Sequence, residues 1–267
     1  MSPDTPAIDP ASPRGLGALR AVARTFGAQE SGLLVVILAM VILLTVGGGD
    51  ITRRDGTTAN NFLRVDNVVA NVATPMSWIA IMAVGGTVVI ISGGIDLSVG
   101  SVMALAALGV AGVLQQPWFA EHDTAAIVLP AALLVAGGIG LACGFVNGLL
   151  IVLLRMHPFI VTLGTLYIFR GIALIAVPTK TVPVLGRTLP DALTERFIAA
   201  RLGGEGSFIQ PMPMVIMLLI VAGGWVFLSH TVWGRQIFAV GGNEEAARFS
   251  GLPVGRVKLR VYMIAGL

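Results

Sequence analysis

Long apolar runs separated by short polar breaks occupy most of this chain. The opening stretch, residues 1–30, is polar. It carries Pro3, Pro6, Pro10 and Pro13, then Arg14, Arg20 and Arg24, and reads as a tail leading into a short amphipathic stretch. Apolar runs follow at Leu33–Val46, Val72–Ser92, Leu97–Leu114, Ala125–Leu154, Pro158–Val177 and Pro211–Leu228, and a further one opens at Val261. Several approach or exceed the ~20 residues that carry an α-helix across a bilayer. The pattern predicts an all-α, polytopic membrane helix bundle, with six complete transmembrane helices and the start of another. Its domain reading is a tail at 1–30 and one transmembrane domain at 31–267, truncated at its C-terminus, with a long connecting loop at 229–260. The first run is short enough for a cleaved signal peptide to be weighed. Its depth in the chain and the lack of an Ala-x-Ala site favour a retained helix. A second long loop, 178–210, contains a short helical pattern at Leu189–Ala200.

Composition narrows the classes. Hydrophobic residues make up 55% and charged residues 12% of the chain, and mean hydropathy is +0.89, which excludes a disordered chain and argues against a soluble enzyme. A formal charge of +3 is too small to point to nucleic acid. The single cysteine, Cys143, rules out a disulfide framework. With the N-terminus inside, the inside loops hold slightly more Lys and Arg than the outside loops, a weak bias toward a cytoplasmic N-terminus.

Much familiar chemistry is missing. Neither lysine, Lys180 or Lys258, follows a glycine, so no phosphate-binding loop of the G-x-x-x-x-G-K-[ST] type exists. His122, His157 and His230 lie far apart near the predicted span ends and lack metal-ligand spacing. No metal and no cofactor is expected, and no catalytic group stands out.

Four constellations remain. The run Ser92-Gly93-Gly94-Ile95-Asp96-Leu97-Ser98-Val99-Gly100-Ser101 interrupts apolar sequence. Gly93-Gly94 lets the backbone leave a helix, and Asp96 is placed to cap the next one. This reads either as a capped hairpin or as a broken helix lining a transport path, with Asp96 and Ser98 as path candidates. Ala136, Gly140, Gly144 and Gly148 recur every four residues, a smooth stripe for close helix packing, with Asn147 beside it either bridging helices or meeting a polar substrate. The stripe predicts that leucine at 144 forces the bundle apart, with alanine tolerated better. Arg170 lies deep in its run, either snorkelling to an interface or facing a wet cavity, and Tyr167 and Phe169 beside it suit an interface belt or a sugar-stacking surface. The last is Asn243-Glu244-Glu245-Ala246-Ala247-Arg248-Phe249-Ser250-Gly251-Leu252-Pro253, a short helix with an N-cap, acidic first turn, C-terminal glycine and stopping proline. Its small residues, Ala246, Ala247 and Gly251, suit a helix gripped by a groove.

Three stretches resemble a known family: Gly93 to Gly100; Asn147 to Ile175, including His157-Pro158-Phe159-Ile160-Val161-Thr162-Leu163-Gly164-Thr165; and Gly241 to Gly266. The chain is similar to the permease subunits of bacterial ATP-binding-cassette sugar importers of the ribose/xylose/galactose type, within the branched binding-protein-dependent permease family. Glu245-Ala246-Ala247 and Gly251 also resemble the wider importer coupling motif. The resemblance implies a multi-pass subunit of the bacterial inner membrane, without its own ATPase site, that translocates a monosaccharide. It implies a cytoplasmic loop whose helix seats in a groove of a partner ATPase, a periplasmic sugar-binding protein, and a second permease copy. The rival reading is an ion-coupled secondary transporter or channel using Asp96 and Arg170.

Overall fold

The computed structural model describes residues 28–52, 58–64, 67–176, 182–184, 187–200 and 211–267. Most of the tail expected at 1–30, and parts of the 178–210 loop, lie outside the described residues. The chain forms two compact units that meet in sequence at Val68 and Val69.

The first unit holds α1 (Ala28–Gly47) and a short antiparallel hairpin of β1 (Asp50–Thr52) and β2 (Thr58–Asn60), with Ile51 opposite Ala59. Asn60 ties the hairpin to the helix end. Its Nδ2 donates to the Thr45 carbonyl at 2.8 Å, and its Oδ1 accepts from the Phe62 and Leu63 amides at 3.1 Å.

The second unit is helical. A wide π-type turn, Asn67–Ala73, begins in the last two residues of the first unit and runs into α2 (Thr74–Ile91), followed by α3 (Val99–Leu114), α4 (Pro117–Glu121), α5 (Ala125–Leu154) and α6 (Pro158–Ala176). Then come the one-turn α7 (Asp191–Leu193) with its π-type continuation Thr194–Ile198, α8 (Met212–His230), α9 (Val232–Gly242), α10 (Glu244–Phe249) and α11 (Val254–Gly266). Proline in the first turn starts α2, α4 and α8, where its missing N–H has no helical acceptor to lose.

Among the described residues, four segments are long and apolar enough to cross a bilayer: Asn67–Ile91, Ala125–Leu154, Pro158–Ala176 and Met212–His230. The count of six complete spans is not reached on this measure. Among the described residues, Gly32–Gly47 and Val99–Leu114 are apolar but shorter. Sixteen residues of α3 rise only ~24 Å against a hydrocarbon core of ~30 Å. The helix is short because the chain is unwound from Ser92 to Ser98 where a longer helix would have begun. Residues 229–260 also differ from a loop. Most of them are helical, in α9, α10 and the first half of α11.

The spans turn apolar side chains outward. Leu219 is 68% exposed and Trp225 63% exposed, surfaces for which hydrocarbon rather than water is the matching solvent. Inward, α11 meets α5 along the glycine stripe. A Cβ at Gly140 would collide with the Gly266 carbonyl, one at Gly144 with the Tyr262 carbonyl, and one at Gly148 would approach the Leu259 Cα to 3.0 Å. The main core joins Val88 and Val89 of α2, Ile151, Val161, Ile237 and Val240, Ala247 of α10, and Val254, Val257, Val261 and Tyr262 of α11.

A second cluster, Leu114, Val128, Ala132 and Ala192, seats α7 on the ends of α3 and α5. Asp123 caps α7 from a distance: its carboxylate accepts from the Ala192 amide at 2.9 Å and the Asp191 amide at 3.2 Å. Losing such a cap costs about 1 kcal/mol. Asp123→Ala is therefore expected to speed amide exchange at 191–194 by roughly fivefold, leaving 145–155 unchanged. Unaltered exchange at 191–194 would show that the cap holds nothing.

Candidate functional site

Two places concentrate polar chemistry, the break between α2 and α3 and the short helix α10. The break begins with a helix stop that its glycines permit. Gly93 sits at φ +79°, its amide donates to the Ile90 carbonyl at 2.9 Å, and the Gly94 amide donates to the Val89 carbonyl at 3.0 Å. That is a Schellman stop, which needs a left-handed residue where Gly93 stands.

Beyond it, Asp96 accepts at one oxygen, Oδ1, from both the amide and the hydroxyl of Ser98, each at 2.7 Å. Helix α3 starts one residue later, with Ser98 at the N-cap position. Asp96 thus orders the turn before the helix rather than occupying the cap itself. Because the Ser98 hydroxyl donates to Asp96, its lone pairs face the other way, and Asn147 Nδ2 donates to it at 2.7 Å. That fixes the Asn147 amide and leaves its buried Oδ1 as an acceptor with no protein donor. Ser98 and Asn147 are both buried, and Asp96 is half-buried.

The Ile95 carbonyl between them accepts from Thr162 Oγ1 of α6 at 3.3 Å and from the Tyr262 hydroxyl of α11 at 3.2 Å. The unwound segment is therefore stitched to α5, α6 and α11. Thr162 and Tyr262 were not singled out from the sequence. The available signal was a hydroxyl in or beside an apolar run, which must find an acceptor when buried.

The other path candidates do not converge here. Phe169 is 5% exposed and packs with Val102 and Cys143, so it offers no free ring face for stacking. Tyr167 and Arg170 are exposed on α6, and Arg170 forms no ion pair among the described residues. Ala136 is only half-buried, whereas Gly140, Gly144 and Gly148 are buried.

Helix α10 carries the features written in its sequence. Asn243 Oδ1 accepts from the Ala246 amide at 2.9 Å. Gly251 lies at φ +84°, its amide donates to the Arg248 carbonyl at 3.0 Å, and the Leu252 amide donates to the Ala247 carbonyl at 3.1 Å, a second Schellman stop. Glu244 pairs with Arg248 at 3.2 Å and with Lys258 of α11 at 2.6 Å. The expectation that Ala247 faces a groove is corrected: it is 4% exposed and belongs to the chain's own core. The outward face is Asn243, Glu245, Ala246, Arg248, Phe249 and Gly251, with Phe249 86% exposed.

Residues 68–267 match the family model described as the permease component of the branched-chain amino acid transport system. The chain belongs to this permease family. The permease is 36% identical over 208 residues to the ribose import permease protein RbsC of Bacillus subtilis, covering 78% of this chain and 59% of that protein. It is 34% identical over 240 residues to RbsC of Escherichia coli K12, covering 90% and 66%. It is 37% identical over 193 residues to the autoinducer 2 import system permease protein LsrD of Photorhabdus laumondii, covering 71% and 53%. The chain thus spans about three fifths of the length of these relatives. No solved structure matches the permease. With its outward apolar helices, it is a multi-pass membrane protein.

Proposed function

We propose that this permease is the transmembrane subunit of an ATP-binding-cassette importer for a small sugar of the ribose kind. Its ribose and autoinducer 2 relatives are named as import permeases, which supports the substrate class. The observation that carries the reading is α10. A six-residue helix capped at both ends is too short to persist alone, yet the core holds it with a bare aromatic tip outward. That is the form of a docking surface for an ATPase subunit.

In this reading the N-terminus and α10 are cytoplasmic, six runs cross the inner membrane, and two permease copies enclose the path. A periplasmic binding protein delivers the sugar, and the chain does no covalent chemistry. The segment Ser92–Ser98 lies at the path, with Asp96 and the unpartnered Asn147 Oδ1 as acceptors for sugar hydroxyls. The ion-coupled alternative needs paired intramembrane charges, and neither Asp96 nor Arg170 makes an ion pair among the described residues.

The test is docking. Gly251→Val places a β-branched residue at positive φ, and Phe249→Ala removes the exposed ring. Both variants are expected to insert normally and to lose ATPase co-purification. Phe249→Ala should weaken binding by roughly thirtyfold, the scale of an aromatic hot spot. Undiminished co-purification with sugar-stimulated hydrolysis intact would overturn the reading.

A further inference from the structure

We propose that α11 is a strut that carries displacement of α10 to the unwound segment, with Lys258 and Tyr262 as its two positioning contacts. The proposal rests on the docking role given to α10 and adds the route by which docking reaches the path.

The geometry is specific. Lys258 Nζ donates to Glu244 Oε2, the first residue of α10, at 2.6 Å. Four residues on, and so on the same face of α11, the Tyr262 hydroxyl donates to the Ile95 carbonyl at 3.2 Å. The two contacts lie ~6 Å apart along one helix axis. Tyr262 is 1% exposed. Its hydroxyl sits against the break so closely that a Cβ on Gly94 would lie 2.5 Å from it. Asp96, which orders Ser98, is the next residue after Ile95. A shift of Glu244 therefore reaches the Asp96–Ser98–Asn147 chain through one rigid element and two hydrogen bonds.

The bed of the strut suits this role. Opposite α11, the stripe of α5 offers Gly140 and Gly144, which face α11 backbone, and Gly148, against which the Leu259 side chain and backbone lie, so along the stripe α5 puts no side chain of its own between the helices. Val254, Val257 and Val261 are buried and hold the helix to the core by non-directional contact. A parallel route exists through α9, because Gly241 packs directly on the Ile91 carbonyl and lies beside Gly93. That contact is backbone to backbone, and side-chain substitutions on α11 leave it in place.

The experiment uses the permease assembled with its ATPase and binding protein in lipid discs. Lys258→Met keeps the side-chain stem and removes the charge, and Tyr262→Phe keeps the ring and removes the hydroxyl. Each variant should retain ATPase co-purification while the sugar moved per ATP hydrolysed falls roughly two- to tenfold, the worth of one hydrogen bond. Lys258→Arg should restore the ratio. Because the contacts act in series, the double variant should be no worse than the poorer single one. Amide exchange at 93–98 should quicken in Lys258→Met, although Lys258 touches none of those residues.

An unchanged ratio in Tyr262→Phe, fully multiplying effects in the double variant, or unchanged exchange at 93–98 would overturn the strut. If the unsubstituted permease fails to hold an ATPase, the docking reading falls instead. The exchange measurement, made on the permease alone, then decides the strut by itself.

Discussion

Leucine at position 144 is expected to abolish a stable bundle, and alanine at the same position to destabilise it measurably. The Gly144 Cα faces the α11 backbone, so the first added carbon meets the Tyr262 carbonyl and lies 2.9 Å from the Met263 Cα. Neither neighbour is the end of a flexible side chain, so α11 itself must move. Overpacking of this kind costs about 1–3 kcal/mol for one methyl group and more for a branched side chain. Alanine should still be tolerated better than leucine, but at a measurable cost, because even one carbon meets backbone. Thermal unfolding in detergent should rank the unsubstituted chain above Gly144→Ala and Gly144→Ala above Gly144→Leu. Gly100→Ala should match the unsubstituted chain, because nothing lies within 4 Å of a Cβ at Gly100. Equal melting of Gly144→Ala and Gly100→Ala would remove the close crossing from the account.

Losing the Asp96 carboxylate is the second large effect. One of its oxygens takes both donors of Ser98, and hydrogen bonds to a charged group contribute about 1.5–3 kcal/mol each. In Asp96→Leu the Ser98 hydroxyl loses its acceptor and is free to turn toward Asn147, so the whole polar chain loses its direction. Asp96→Asn keeps an acceptor oxygen in the same place. Uptake by Asp96→Leu is expected to fall by at least tenfold, with Asp96→Asn intermediate, both at matched membrane expression. Normal uptake by Asp96→Leu would exclude the break from the path.

Local signals in the sequence marked much of this architecture. Gly93 and Gly251 were readable as helix stops because a left-handed residue leaves few choices of amino acid. Asn243 was readable as a cap because its partner amide lies three residues away. The stripe at Gly140, Gly144 and Gly148 was visible as a surface, but what covers it was not. Its partner, α11, is distant in sequence, and its basic residues Arg256, Lys258 and Arg260 made its first half look like loop. The same distance hid the contacts of Tyr262, Thr162 and Asp123, since pairing across many residues leaves no period to read. Phe169 was misjudged because Tyr167, two residues before it on the helix, points outward, and neighbourhood in sequence does not decide which face a ring takes.

The close crossing of α5 and α11 also fixes an order of events during synthesis. The glycines at 140, 144 and 148 leave the ribosome long before Leu259, Tyr262 and Gly266. At about 5–20 residues per second, that leaves the stripe unpartnered for on the order of ten seconds. During that interval α5 shows lipid a flank of nearly bare backbone, and any other small-faced helix in the membrane is a competitor for it. This close joint of the second unit thus forms only once α11 has been made, and nascent chains remain open to mispairing until it does.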